Sequence, residues 1–442
     1  AVGCMIQSHP DQRVRGKLVD SLMALPNKSW REAIRLANDS IESLRSVECA
    51  NTLAAILKTN ERVCFSVGQS FSAQMARMFQ DMLHLYKTYS GFVTKAVTEE
   101  GAEAIHFALV RAIRSTKKEV LRLVETFVMK TNDPETISSK FVPPILEAVL
   151  GDYHRSHPDA RDAEVLSLFA AIINKLQGSM SPLIPDVLKG VFECTLAMIK
   201  KNFQDYPDHR VFFFTLLRAI FSHCFRSLFN IPKTYFKMIV DSIVWATRHT
   251  LRPVSETGLL LMQDLWRNMA KSGAASAFFS SFYIKLFSEV FYVLTDRSHK
   301  FGFALQSSIL KDMIYAVQTN AIDTPIYQPE GGEEKPNDIY LKNFILNLIG
   351  KHFPNVGQSN AKSFVIGLFD HCRELPEFKT HLRDFLVQLQ EFSPDDNQDL
   401  DLLYSEENEA KEKMRIAAER RRNMRIPGMI APASIEDPMM ED

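Results

Sequence analysis

Apolar residues recur along this chain at the spacing of an α-helix, from one end to the other. Between Tyr235 and His249, the residues Phe236, Ile239, Val240, Ile243 and Val244 fall at i, i+3, i+4, i+7 and i+8. That puts them on one side of a helix with 3.6 residues per turn. Leu382, Phe385, Leu386, Leu389 and Phe392 repeat the stripe, with Arg383, Asp384, Gln388 and Glu391 assigned to the opposite face. Val110, Ile113, Val120, Val124 and Phe127 do the same upstream. No segment sustains the period of two that a half-buried strand needs. The expected fold class is all-α. Glycine agrees, because 17 in 442 residues is well under the usual frequency of about 7%, which leaves few tight turns or phosphate-cradling loops.

The breaks between stripes are short and carry helix-start chemistry. "SPLIPDVL" places Ser181 at an N-cap, Pro182 at the first helical position and Pro185 still in the first turn. "NDPET" (Asn132–Thr136), "SHPDARD" (Ser156–Asp162), "QDYPDHR" (Gln204–Arg210) and "NIPKTYF" (Asn230–Phe236) are starts of the same kind. Starts about 20–25 residues apart make a helix pair about 40–50 residues long, the period of HEAT and armadillo units. Single cores stop growing near about 250–300 residues, so a chain of this length is expected to stack repeats. The expectation is an α-solenoid of roughly seven or eight antiparallel pairs over residues 1–400, a HEAT-repeat superhelix. Two polar connections interrupt it. Asp323–Asp338 is the candidate mobile surface loop, and Ser393–Asp399 is the other.

Charge limits the partners. Fifty-two Lys and Arg against 53 Asp and Glu leave a formal net charge of −1, which argues against broad electrostatic binding of nucleic acid or an anionic membrane. No uncharged apolar stretch reaches 18 residues; the richest run, "VFFFTLLRAIF", is broken by Arg218. Membrane insertion is not expected. Cys4, Cys49, Cys64, Cys194, Cys224 and Cys372 are scattered without a CxxC pair, as reduced nuclear or cytosolic thiols are. The opening "AVGCMIQ" lacks a methionine and reads like the tail of a helix, so the chain is expected to be cut from a longer protein.

The ending differs in kind. Residues 401–425 include "SEENEAKEKMRIAAERRRNMR" (Ser405–Arg425), acidic early and basic late, an order that suits a helix macrodipole. Residues 426–442 contain no Lys or Arg and mix Ile and Met with Glu436, Asp437, Glu441 and Asp442. Such a tail cannot form its own core, so it is either disordered or docked on a partner.

Candidate chemistry is weak throughout. Cys194, His209, His223 and Cys224 are the best metal candidates, but zinc ligands come in close pairs such as C-x₂₋₄-C. Here the one close pair is adjacent, and its side chains diverge by about 100° around a helix. Buried thiols and hydrogen-bonded histidines are the expectation. Neither "VGQSFS" (Val67–Ser72) nor "GQSNAKS" (Gly357–Ser363) follows an expected strand, and the first has serine where a nucleophile turn needs its second glycine. "EGGEEKP" does not have the order of a nucleotide-binding loop. Arg420, Arg421, Arg422 and Arg425 could form a nuclear-localisation or RNA patch, but a charged face near a helix C-terminus is preferred. Phe212, Phe213, Phe214, Phe221 and Phe225 are read as core, with Arg210 and Arg218 marking one polar edge of their helix. No catalytic constellation, metal or cofactor is expected.

Several long stretches carry a family likeness. "FVPPILEAVLGDYHR", "FECTLAMIKKNFQDYPDHRVFFFTLLRAIFSHCF", "DSIVWATRHTLRPVSETGL" and "FKTHLRDFLVQLQEF" closely resemble the C-terminal part of the exportins, nuclear export receptors of the karyopherin-β family. The likeness runs collinearly from "AVGCMIQ" and "LPNKSW" to "IPGMI". It implies a ring-like HEAT superhelix without enzyme activity, shuttling between nucleus and cytoplasm. It further implies binding of the GTP form of the small GTPase Ran together with cargo bearing leucine-rich export signals, and contacts with phenylalanine-glycine nucleoporins and Ran-binding proteins. Late repeats supply part of the GTPase and nucleoporin surfaces in this family. Its last helix and acidic tail oppose cargo binding, and here they correspond to the helix with Arg420, Arg421, Arg422 and Arg425 and the tail with Glu436, Asp437, Glu441 and Asp442. The family's cargo groove and reactive cysteine lie in repeats preceding Ala1, so none of the six cysteines is assigned that role. A generic HEAT scaffold or import receptor is the second reading.

Overall fold

The computed structural model describes residues 2–201, 204–327 and 335–391, together with 412 and 414–416. Among these residues there is no strand, and the helices follow one another in pairs. The chain is an all-α HEAT-repeat solenoid. It divides into two compact units, Ala1–Lys271 and Ser272–Asp442.

In the first unit, α1 (Val2–Ser8) and α2 (Gln12–Leu22) precede α3 (Ala24–Asp39), α4 (Val47–Val67), α5 (Ser72–Glu100) and α6 (Ala108–Lys130). The helix α7 opens at Pro134–Thr136 and closes at Gly151–Arg155, with π-type turns at Ile137–Phe141 and Leu146–Leu150. Those turns flank Val142–Ile145, where Pro143 and Pro144 have no N–H to donate back along the helix. There follow α8 (Glu164–Leu176), α9 (Ile184–Ile199), α10 (Pro207–His223), α11 (Lys233–Thr247) and α12 (Arg252–Ala270). The second helices of successive pairs pack side by side in the order α4, α6, α8, α10, α12, and the first helix of most pairs lies against its own partner. Each second helix is therefore apolar on several sides. Phe213, Phe214, Ile220 and Phe221 of α10 are all at most 1% exposed.

The second unit holds α13 (Ala275–Thr295), α14 (Phe303–Gln318), α15 (Asn337–His352), α16 (Gln358–Asp370) and α17 (Leu375–Glu391). Here α13 packs on α14, α14 on α17, and α16 between α15 and α17. By length and apolarity α13 could cross a membrane. Half of its apolar window is buried inside the protein, however, with Phe279, Tyr283, Phe287 and Phe291 facing the interior.

Two of the expected starts fall where the sequence places them, the first with a side-chain cap. The Asp133 carboxylate accepts from the Thr136 N–H at 2.9 Å ahead of Pro134, and α10 begins at Pro207. Others differ. Ser181 is not a cap: Gln177–Leu183 is a 3₁₀ segment containing Pro182, and it runs into α9 at Ile184 with Leu183 at the N-cap and Pro185 in second place. Pro158–Ala160 forms a short 3₁₀ turn before α8 opens at Glu164, and Pro232 itself occupies the cap of α11.

Two arginines assigned to polar faces are buried. Arg383 is 8% exposed, with its guanidinium 5.1 Å above the Phe303 ring. Arg210 is fully buried, and its Nη2 donates to the Ile199 carbonyl at 3.4 Å. In each case an apolar stem lies inside while the charged fork finds a ring face or a carbonyl. The flanks of the expected surface loop are also packed. Ile326 and Tyr327 are buried, and Tyr327 stacks on Tyr340 at 3.8 Å; residues 328–334 and the Ser393–Asp399 connection lie outside the described residues.

Candidate functional site

The residues that resembled chemistry are held as packing. Cys194 Sγ donates to the carbonyls of Gly190 and Val191, and Cys224 Sγ donates to the Gln177 carbonyl at 3.3 Å. Burial pushes the Cys224 and Cys64 thiols up, away from the reactive thiolate. His209 sits in the first turn of α10 against the rings of Tyr206 and Tyr153, and burial pushes it down to about 4. No group of three or more His, Cys, Asp or Glu side chains able to hold a metal ion occurs among the described residues. The phenylalanine run is an aromatic seam between helices. Phe192 meets Phe213 at 5.5 Å, and Phe214 stacks on Trp245 at 6.0 Å. Ser70 lies in a 3₁₀ turn after α4, and Gly357–Ser363 opens α16. Neither has the strand-to-helix setting of a nucleophile.

What the described residues do offer is surface. A groove of about 600 Å³ runs between α3 and the start of α4, lined by Leu25, Lys28, Glu32, Leu36 and Cys49 among others. Leu25 is 73% exposed there. A smaller cleft of about 200 Å³ in the second unit lies between Ser280, Ser281 and Ile284 of α13 and Ile326, Tyr327 and Tyr340.

Ion pairs and hydrogen bonds tie neighbouring second helices together. Glu164 of α8 takes Arg122 at 3.0 Å and Lys118 at 3.5 Å from α6. Thr126 of α6 donates to Glu61 of α4, and Ser167 of α8 donates to Glu125 of α6. Burial raises the Asp264 carboxyl of α12 against the pull of Arg218 and Arg267.

Residues 74–394 match the family model described as the CRM1 C terminal. The chain belongs to the CRM1 C-terminal family. The likeness extends beyond the matched region. The protein named EXPORTIN 1B from Arabidopsis thaliana is 40% identical over 443 residues, covering all of this chain and 40% of its own length. Exportin-1 of Schizosaccharomyces pombe is 40% identical, with all of this chain and 41% of its length covered. Exportin-1 of Drosophila melanogaster is 34% identical at the same coverage. The chain thus spans about two fifths of the length of these CRM1-family relatives. The tail residues singled out by the resemblance, Arg420, Arg421, Arg422, Arg425, Glu436, Asp437, Glu441 and Asp442, lie outside the described residues. Sequence reasoning missed the buried ion node of Lys117 with Asp152 and Asp162.

Proposed function

We propose that this chain is the late-repeat part of a nuclear export receptor that carries leucine-rich-signal cargo through the nuclear pore with GTP-bound Ran. The observation that carries the reading is the match of the whole chain to proteins named exportin-1 in plants, fission yeast and fly. Residues 1–400 then act as repeats that supply part of the Ran-embracing surface and contacts to phenylalanine-glycine nucleoporins. Residues 401–425, with Arg420, Arg421, Arg422 and Arg425, form the charged helix. Residues 426–442, with Glu436, Asp437, Glu441 and Asp442, form the acidic and apolar tail; helix and tail together oppose cargo binding until the GTPase displaces them. Cargo and GTPase favour the same state, so each raises the affinity of the other by one shared factor. The protein works by binding rather than by catalysis and shuttles between nucleus and cytoplasm.

The test is a pull-down with the full-length parent protein on immobilised Ran. Recovery on GTP-loaded Ran well above that on GDP-loaded Ran is expected. Equal recovery in both states would remove the export reading and leave a generic HEAT scaffold.

A further inference from the structure

Lys117 lies on the apolar stripe of α6, four residues after Ile113 and three before Val120, and it is 2% exposed. Its Nζ is 2.9 Å from Asp152 Oδ2, 3.5 Å from Asp162 Oδ2 and 4.8 Å above the Tyr86 ring. The Tyr86 hydroxyl donates to Asp152 Oδ2 at 3.1 Å, and Arg114 Nη2 donates to Asp162 Oδ1 at 3.3 Å. A buried ammonium is costly unless it is paired and its partners are themselves satisfied. Here two carboxylates balance Lys117 and Arg114, and they come from the end of α7 and from the connector between α7 and α8.

The same connector is tied in two further directions. Arg161 spends its fork on three main-chain carbonyls, those of Tyr153 at 3.0 Å, His154 at 3.4 Å and Cys194 at 3.1 Å. The first two lie in the last turn of α7 and the third in α9. Beside them, the Tyr153 hydroxyl pairs with Thr195 Oγ1 at 2.8 Å. Asp159 accepts from the hydroxyl of Tyr206, the residue that enters α10 in the left-handed region at φ 59°. A non-glycine residue persists there only where its surroundings fix it.

We propose that the connector over residues 156–163 is an inter-repeat clamp. Asp162 holds it to the preceding pair through Lys117 and Arg114, Arg161 holds it to α7 and α9, and Asp159 holds it to the start of α10. Lys117 is its positioning residue. The pairs from α5 to α10 therefore open as one block, so a load applied at one end of the block is felt at the other.

The test is hydrogen exchange followed by mass spectrometry on the full chain. Lys117→Met keeps the stem and removes the charge. It is expected to speed exchange by roughly tenfold in α6, in 152–164 and also in 192–200, which Lys117 does not touch, because residues in one network share their opening. Arg161→Lys removes the fork and is expected to loosen the same three segments. The double variant is expected to loosen them no further than the more severe single one. Faster exchange confined to α6 and 152–164, or strictly additive effects, would overturn the clamp and leave an ordinary buried ion pair. If Lys117→Met does not fold, Tyr206→Phe supplies the reading by removing the tie to Asp159 alone. Loosening of 152–164 as well as the start of α10 supports the clamp, and loosening of the start of α10 alone rejects it.

Discussion

Gln74 Nε2 donates to Asn60 Oδ1 at 3.1 Å, and neither residue is exposed to solvent. Asn27 of α3 donates to Gln74 Oε1 at 2.9 Å, while Asn60 Nδ2 donates to the Ile56 carbonyl at 2.9 Å. Three helices of the first unit thus meet at one amide node. Removing Gln74 leaves the buried Asn60 Oδ1 without its donor, which costs about 1–3 kcal/mol for an orphaned group. Gln74→Leu is expected to lower the unfolding free energy by about that amount, read from urea denaturation, and Gln74→Leu combined with Asn60→Leu to recover part of it. An additive loss in the double variant would show that the node is not a unit.

A second prediction concerns the seam of α11 and α12. A Cβ on Gly258 would stand 2.8 Å from the Thr247 backbone nitrogen and 2.9 Å from the Ala246 carbonyl carbon, both main chain and unable to swing aside. In an open helix, alanine for glycine would stabilise by about 1 kcal/mol. Here Gly258→Ala is expected to destabilise by about 1–3 kcal/mol through overpacking. Denaturant unfolding decides the sign, and a stabilised variant would contradict the close approach.

His209 provides a pH signature. Burial is the largest cause of its low value, about 4 in the folded chain against 6.5 for the ordinary side chain. Between those values the unfolded chain binds a proton that the folded chain does not, so this contribution is intact above about pH 6.5 and is lost as pH falls toward 4. His209→Gln is expected to flatten the fall in melting temperature across that window relative to the parent. The same slope in both proteins would show that His209 is not the group responsible.

Thiol labelling tests the absence of activated cysteines. Cys4 is exposed, whereas Cys64, Cys224 and Cys372 are buried with their thiols pushed up chiefly by burial. Near neutral pH, iodoacetamide is expected to modify Cys4 first and to reach those three only after denaturation. Fast native labelling of Cys224 would mean that a thiolate is available and would reopen the chemical reading of the α9–α10 region.

Local chemistry explains what could be read from the sequence. Asp133 before Pro134, and Pro207 in the first turn of α10, mark helix starts because caps and first-turn prolines involve only neighbouring residues. The stripe in α6 is buried as its spacing requires, and so are Ile239, Val240, Ile243 and Val244 of α11, while Phe236 in the first turn is half-buried. Ser181 misled because a 3₁₀ segment that opens at Gln177 already contains the serine and proline signal and runs on into α9. Arg210 and Arg383 misled because an arginine's polarity does not fix which way its fork faces. Lys117 could have been noticed as a charge on a buried stripe, but its partners Asp152 and Asp162 come from elements far along the chain and leave no local trace. A regulatory role for residues 426–442 rests on family likeness alone, since composition says only that such a segment cannot form a core.

The most direct test of the central claim follows a fluorescent leucine-rich signal peptide by anisotropy as full-length protein is titrated with and without GTP-loaded Ran. Weak binding alone is expected, with affinity raised at least about tenfold by Ran, within the range of coupling free energies between linked sites. Peptide affinity that does not change with GTP-loaded Ran would contradict it.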